Sequence, residues 1–351
     1  MMKLPKGNLN QKSFQQRRSL ERAGVDPKCI KEQIRVLGLD VVPTWWHESD
    51  TILKRCEEGL AILNRLAFCP IGREVRRALY RSRVMPLVTW GAWLRPLPAR
   101  VVKQVSQLYR SLSRGHPMGS KPLRTILEGH HADSSFLSLH QSVQAAQRAH
   151  KFRRLRWRNS PSPAGWQHAL VRGLSEYGWT PQRNWILQHP QEGQCNILHD
   201  GAAVLHKVRE SWRRSLFAEF LSQKRRDSNL LRQQVGYDHM SCKVARCLYE
   251  SSGNHGRAVL VGAALSSAVY CRIRKEPVPF HCSWCNQQEA ADWDHLVWHC
   301  PAFAGSRPAS MPQSSMACRM AWPPRSYSKR SAEKLLHHMA AVREQVMERL
   351  S

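Results

Sequence analysis

Four residues near the C-terminal end have the types and spacing for metal chemistry: Cys282, Cys285, His295 and Cys300, in the run HCSWCNQQEAADWDHLVWHCP. Their pattern is C-x2-C-x9-H-x4-C. Three thiolates and an imidazole are right in number and type to enclose one tetrahedral Zn²⁺. The two-residue gap lets one tight turn aim Cys282 and Cys285 at a single point. His295 and Cys300 can reach the same ion from the start, and from just past the end, of a short helical turn. A shell of four protein ligands keeps no position open for a substrate. The expected zinc is therefore structural, folding a small local element, and not catalytic. His281 and His299 are rival ligands, but His299 directly precedes Cys300, and adjacent residues bind one ion poorly.

The charge of the chain points to a polyanionic partner. Lys and Arg number 54 against 26 acidic residues over 351 positions, a formal net charge of +28. Such an excess costs self-repulsion in the folded state, so RNA or DNA is the expected partner. Two stretches concentrate the charge. In the first, Lys151, Arg153, Arg154, Arg156 and Arg158 interleave with Phe152 and Trp157. The cations can neutralise phosphates while a ring stacks on a base. The plainer alternative is a solvated helix face with two core aromatics. In the second, Arg213, Arg214, Lys224, Arg225 and Arg226 suit backbone phosphate or nuclear import. Trp284, inside the metal run, is a further candidate base contact. His130, His131 and Asp133 look like half a metal or acid–base site with no identifiable partner, and a loop or helix-start role suits them better. Trp45, Trp46, Trp90 and Trp93 are expected in the core. No Gly-rich nucleotide-binding fingerprint occurs.

The first residues, MMKLPKGNLNQKSFQQRRSLERAG, are polar and basic, without the apolar centre of a secretory signal. Ala258 to Cys271 is the longest weakly polar run. It is too short and too rich in Ser and Gly to span a bilayer, and reads as a buried helix. A membrane surface would want one sharply amphipathic basic helix, and none dominates. Eleven cysteines, of which only the C-terminal group has metal spacing, suggest reduced thiols in the cytosol or nucleus.

Helices are expected to position these groups. Residues 1–30 read as a polar lead-in. Ile34 to Val42 (IRVLGLDVV) reads as a short strand bounded by Pro43. Ser49 or Asp50 can cap a helix with Ile52, Cys56, Leu60, Leu63 and Ala67 at helical spacing. A second helix carries Val75, Leu79 and Val84 up to Pro86. A third starts near Pro98 with Val101, Val105, Leu108 and Leu112. Together these predict one helical bundle over 31–115. Within 116–200, the spacing predicts a loop from His116 to Gly129, a helix from Ser134 to Arg158, and an irregular linker over 159–200. The region 201–275 should be helical, with one helix near 203–225 and another from Ala258 to Arg274. The metal element fills 276–305. Residues 306–351 should hold a Pro- and Ser-rich loop and a last helix capped by Ser331, with Leu335, Leu336, Met339 and Val342 on one face. The fold class is mainly α: a helical bundle, an irregular basic linker, further helices and a small C-terminal zinc element.

Taken in order, these stretches resemble the C-terminal portion of a non-LTR (LINE-type) retrotransposon reverse transcriptase. IRVLGLDVV is similar to the "YLG" strand that follows the palm in such polymerases. RCEEGLAILNRLAFCPIGREVRRALYRSRVMPLVTWGAW is similar to the family's paired thumb helices and the pattern after them, with Trp90-Gly91 where the family often has Tyr-Gly. HKVRESWRRSLFAEF looks like the basic helix ahead of the family's zinc knuckle. CSWCNQQEAADWDHLVWHCP looks like the closing C-x2-C…H-x4-C-P of that CCHC knuckle. The likeness is closest over 30–115 and in the metal run, and looser over 135–300. It implies a thumb-like bundle and a knuckle that binds nucleic acid, in a family of RNA-directed DNA polymerases.

The family's catalytic half is not implied. A polymerase palm needs clustered aspartates to hold two Mg²⁺ ions. No Asp-Asp pair occurs, and only about 30 residues precede the strand upstream of which the family places it. Some relatives carry a restriction-like endonuclease after the knuckle, but 301–351 offers Glu333, Glu344 and Glu348 and no Asp. The expectation is thus a transposable-element fragment of thumb, basic linker and knuckle. It would bind RNA or DNA without chemistry of its own, in nucleus or cytoplasm and away from membranes. An upstream polymerase segment of the same element is a further expected partner. The alternatives are a host zinc-dependent regulatory or interaction protein, and a metal-dependent nuclease whose carboxylates assemble only in three dimensions.

Overall fold

Apolar residues recurring at three- and four-residue spacing make the protein mainly helical. The computed structural model describes residues 22, 34–36, 39–41, 50–92, 97–112, 119–151, 166–222, 237, 240–263, 266–309, 312 and 315–350. The chain divides into two units, 1–114 with 130–211, and 115–129 with 212–351. The expected bundle therefore shares its unit with most of the expected linker, and the metal element belongs to a larger helical unit.

In the first unit, β1 (Ile34–Val36) and β2 (Leu39–Val41) pair antiparallel, so the run expected as one strand is a hairpin. Helix α1 (Asp50–Phe68) buries Ile52, Cys56, Leu63 and Ala67, the stripe its spacing predicts. It shares a core with α2 (Arg73–Leu79), a π turn (Tyr80–Val84), α3 (Met85–Val88) and α4 (Ala99–Ser111). The second helix does not stop at Pro86. The π turn lies just ahead of the proline, which falls in the first turn of α3, where a missing N–H costs no intrahelical bond. Val75 is exposed, not on the buried face, and Trp90 is 45 % exposed, with the Arg55 guanidinium 4.8 Å from its ring centre. Trp45, Trp46 and Trp93 lie outside the described residues.

Helix α6 (Ser134–Lys151) begins at Asp133, whose Oδ1 accepts the N–H groups of Ser135 and Phe136 at 3.1 Å. That is the helix-start role expected of the His130–Asp133 segment. Helix α7 (Trp166–Ser175) follows, then an antiparallel sheet of β3 (Thr180–Pro181), β4 (Ile186–His189) and β5 (Gly193–Asn196). The stretch 166–196 is therefore not an irregular linker. Its strands are two to four residues long, too short for an alternating stripe to show. Buried tryptophans hold them, and Trp179 Nε1 donates to Ser211 Oγ at 2.8 Å. Asn184 and Trp185 take left-handed backbone, φ 59 and 62, which turns the chain into β4.

The second unit starts with α5 (Lys121–Glu128), capped by Ser120, where a loop was expected. The close approach here requires glycine: a Cβ on Gly119 would sit 2.5 Å from the Val261 carbonyl oxygen. Helix α8 (Gly201–Ser222) begins in the first unit, where Val204 and Val208 are buried, and ends in the second, where Trp212, Phe217 and Phe220 are buried. Helices α9 (Cys242–Ser251), α10 (Asn254–Leu260), α11 (Ser267–Arg274), α12 (Ser315–Met320) and α13 (Lys329–Leu350) complete the unit. Ala258 to Arg274 is two helices, because the chain turns after α10 at Gly262, φ 69. Helix α12 stands where only loop was expected, and a 3-10 turn (Pro301–Ser306) follows Cys300. In α13, Leu335, Leu336, Met339 and Val342 are buried as expected. Its cap is Ser328, whose Oγ accepts the Ser331 N–H at 3.0 Å, so Ser331 lies inside the first turn. Among the described residues no helix is long and apolar enough to cross a membrane, and every cysteine is free.

Candidate metal centre

Short-range backbone bonds shape the ligand loop. The Cys282 N–H donates to the Gln287 carbonyl at 3.0 Å, and the Asn286 N–H to the Cys282 carbonyl at 2.8 Å. The Trp284 N–H points at Cys282 Sγ, 3.5 Å away. Asn286 takes φ 58, a left-handed position that asparagine tolerates better than most residues. This knuckle brings Cys282 and Cys285 together. The other pair sits on a π turn, His295–His299, started by Asp292, whose Oδ1 accepts the His295 N–H at 2.8 Å. The turn closes where the Cys300 N–H donates to the His295 carbonyl at 2.7 Å. A bond over five residues is what makes the H-x4-C spacing work.

The ligand atoms of Cys282, Cys285, His295 and Cys300 all lie within 4.8 Å of one another. Cys282 Sγ is 4.0 Å from Cys300 Sγ, and Cys285 Sγ is 3.4 Å from His295 Nε2. The other ring nitrogen, Nδ1, donates to Glu289 Oε2 at 2.5 Å. With its proton held there, the imidazole presents the Nε2 lone pair to the cluster, as a metal-binding histidine requires. His281 and His299 are exposed and outside the group. Cys282 and Cys300 are fully buried and His295 nearly so.

The thiols differ in acidity. Burial works against the Cys285 thiolate, but bonds from the Gln287 backbone, His295, Cys282 and Cys300 outweigh it and lower its pKa to about 7. Burial pushes the Cys300 thiol up to about 12. Crowded like charges titrate apart in this way, and a cation at their centre would let all three ionise. The arrangement can therefore hold a metal ion.

The group is a wall of the core of its unit and not a free-standing knuckle. Cys282, Cys300, Leu296, Val297, Trp298 and Phe303 pack in one apolar cluster with Leu335, Leu336 and Met339 of α13. Trp298 Nε1 donates to the Cys318 carbonyl at 3.0 Å, and Arg319 pairs with Asp294 at 2.7 Å. Arg307 donates to the carbonyls of Val297 (3.1 Å) and Cys300 (2.7 Å). His338 Nε2 donates to the same Val297 carbonyl at 2.9 Å. Sequence reasoning missed Glu289, Asp292 and Arg307. The acidic residues in the x9 gap were a visible signal, whereas nothing local marked Arg307.

The expected nucleic-acid contacts are placed as follows. Lys151 ends α6 and is exposed. Arg153, Arg154, Arg156, Trp157, Arg158, Lys224, Arg225 and Arg226 lie outside the described residues. Arg213 and Arg214 are half-buried on α8, with the Arg214 guanidinium 4.9 Å from the Tyr237 ring centre. Trp284 is half-buried, its ring 5.2 Å from that of Phe303 and covered by Arg349 at 4.4 Å. The fold and site define a mainly helical protein with a largely buried group of three cysteines and one histidine that can hold a metal ion. No family model, curated protein or solved structure matches the chain.

Proposed function

We propose that the group holds one structural Zn²⁺, and that the chain is a nucleic-acid-binding element of the kind that closes LINE-type reverse transcriptases, without polymerase chemistry of its own. The ligand geometry carries the reading. Tetrahedral bonds of about 2.3 Å to sulfur and about 2.0–2.1 Å to nitrogen put two sulfurs about 3.8 Å apart, and sulfur and nitrogen about 3.6 Å apart. The separations of 4.0 and 3.4 Å straddle those values. Thiolate and imidazole donors favour zinc over magnesium or calcium, which prefer oxygen. Four protein ligands leave no open position, which supports a structural role over a hydrolytic one.

The net charge of +28 supports a polyanionic partner. The order of the thumb-like stretch and the metal run supports the family likeness, and the lack of paired aspartates supports the loss of polymerase chemistry. Metal and nucleic acid are tested separately. The purified protein should carry zinc and Cys282→Ser should not; equal zinc in both rejects the centre. Fluorescence anisotropy with single-stranded RNA and duplex DNA should show affinity falling steeply with salt, a log–log slope of about −0.7 per phosphate neutralised on a single strand. Affinity that ignores salt would favour a protein-interaction module. Mg²⁺-dependent cleavage would favour a nuclease.

A further inference from the structure

A cleft of about 970 Å³ lies beside the metal unit, between the residues that follow the last ligand and the N-terminal part of α13. Pockets that enclose small ligands run to about 300–1,000 Å³. Its lining includes the apolar surfaces of Pro308, Pro312 and Tyr327. Arg307 and Lys334 supply positive charge to the same lining. The acidic residue of the lining, Glu333, is 3.6 Å from Lys329, so its charge is partly neutralised. The cleft also opens on the first turn of a long helix, whose positive end adds to the field.

Arg307 is a held cation, unlike a mobile surface side chain. Two of its nitrogens are bonded to the Val297 and Cys300 carbonyls, and both acceptors belong to the turn that carries His295 and Cys300. Nη1 remains for a ligand. The same Val297 carbonyl is tied to α13 through His338 Nε2, and His338 Nδ1 accepts from Ser306 Oγ at 2.8 Å. Arg307 and α13 are thus tied to one carbonyl of the metal run.

We propose that the cleft takes one unpaired nucleotide of a single-stranded nucleic acid, an assignment that rests on the nucleic-acid reading above. Arg307 and Lys334 meet its phosphate, and the base lies against Tyr327 and Pro308. Apolar lining beside a held guanidinium suits a base and its phosphate together. A base enters such a cleft only when it is free of its pairing partner, which selects single strands over duplex.

The test uses the zinc-loaded full chain and a short labelled oligouridine, followed by anisotropy. Lys334 is exposed, so Lys334→Glu should leave the fold intact. Its affinity should drop roughly tenfold, with the salt slope reduced by about 0.7. Lys243→Glu, the same charge change at an exposed site on α9, should lose much less. Equal losses for the two variants would mean that net charge alone matters and would overturn the cleft. An oligonucleotide carrying 4-thiouridine should crosslink to Tyr327 or to residues 306–309, and crosslinks confined elsewhere overturn the assignment. Competition by uridine monophosphate as strong, per nucleotide, as by the oligonucleotide overturns the strand in favour of a free nucleotide. If wild type binds no oligonucleotide at any salt concentration, the broader nucleic-acid reading fails as well, an outcome distinct from the others.

Discussion

Replacing Glu289 tests whether His295 is a metal ligand oriented by its neighbour. Glu289 Oε2 holds the Nδ1 proton at 2.5 Å, which leaves Nε2 facing Cys285 Sγ at 3.4 Å. Outer partners of this kind are worth about 10- to 100-fold in metal affinity. The Glu289 side chain is 61 % exposed while that of His295 is 4 % exposed, so water screens the carboxylate. The lower end then applies: Glu289→Ala should weaken zinc about tenfold, or about 1.4 kcal/mol. Glu289→Gln keeps an acceptor at that position but loses the charge, and should weaken it by only about threefold. Competition against a chromophoric chelator at fixed pH measures both. Cobalt substitution adds a second readout, in which the tetrahedral visible bands should shift in Glu289→Ala but persist. Wild-type affinity and an unshifted spectrum in Glu289→Ala would refute the argument that this carboxylate sets the ring.

Other outcomes follow from the same structure. His140 is buried with its ring 5.1 Å from that of His130, and burial, then Arg209 and His131, lower its pKa to about 4. The unfolded chain takes up this proton near pH 6.5 and the folded one resists it, so stability is full above 6.5 and is lost as pH falls toward 4. The loss is on the order of 2–3 kcal/mol. Melting curves of His140→Phe should lose less over that range, and parallel pH dependences would exclude the cause. Gly119→Ala should cost about 1–3 kcal/mol in denaturant unfolding, because the new methyl meets the Val261 carbonyl. Gly305→Ala, with open space around it, should stay within about 0.5 kcal/mol, and equal costs would contradict the packing argument. Chelation should lower the melting temperature, and zinc at about a thousand times its Kd should restore about 4 kcal/mol. Because Cys282 and Cys300 line the core, helical signal should fall with the metal, and a melt indifferent to chelator would remove the centre.

The candidate ligands were legible because each pair is joined by a turn: a knuckle for Cys282 and Cys285, a π turn for His295 and Cys300. The same holds for α1, α4 and α13, where an apolar stripe repeats often enough to stand out. Other elements were hidden for definite reasons. The sheet over 180–196 has strands too short to show a period and is held by tryptophans. The helix through Pro86 continues because a π turn precedes the proline.

Sequence alone therefore determined the helical class, the basic character and the four candidate ligands, since periodicity, charge and turn spacing act between near neighbours. Tertiary structure decided that the metal group is a wall of a larger core, that Glu289 orients His295, and that Arg307 borders a cleft. Those depend on partners such as His338, 41 positions from the Val297 carbonyl it bonds, and only packing of the whole unit brings such groups together.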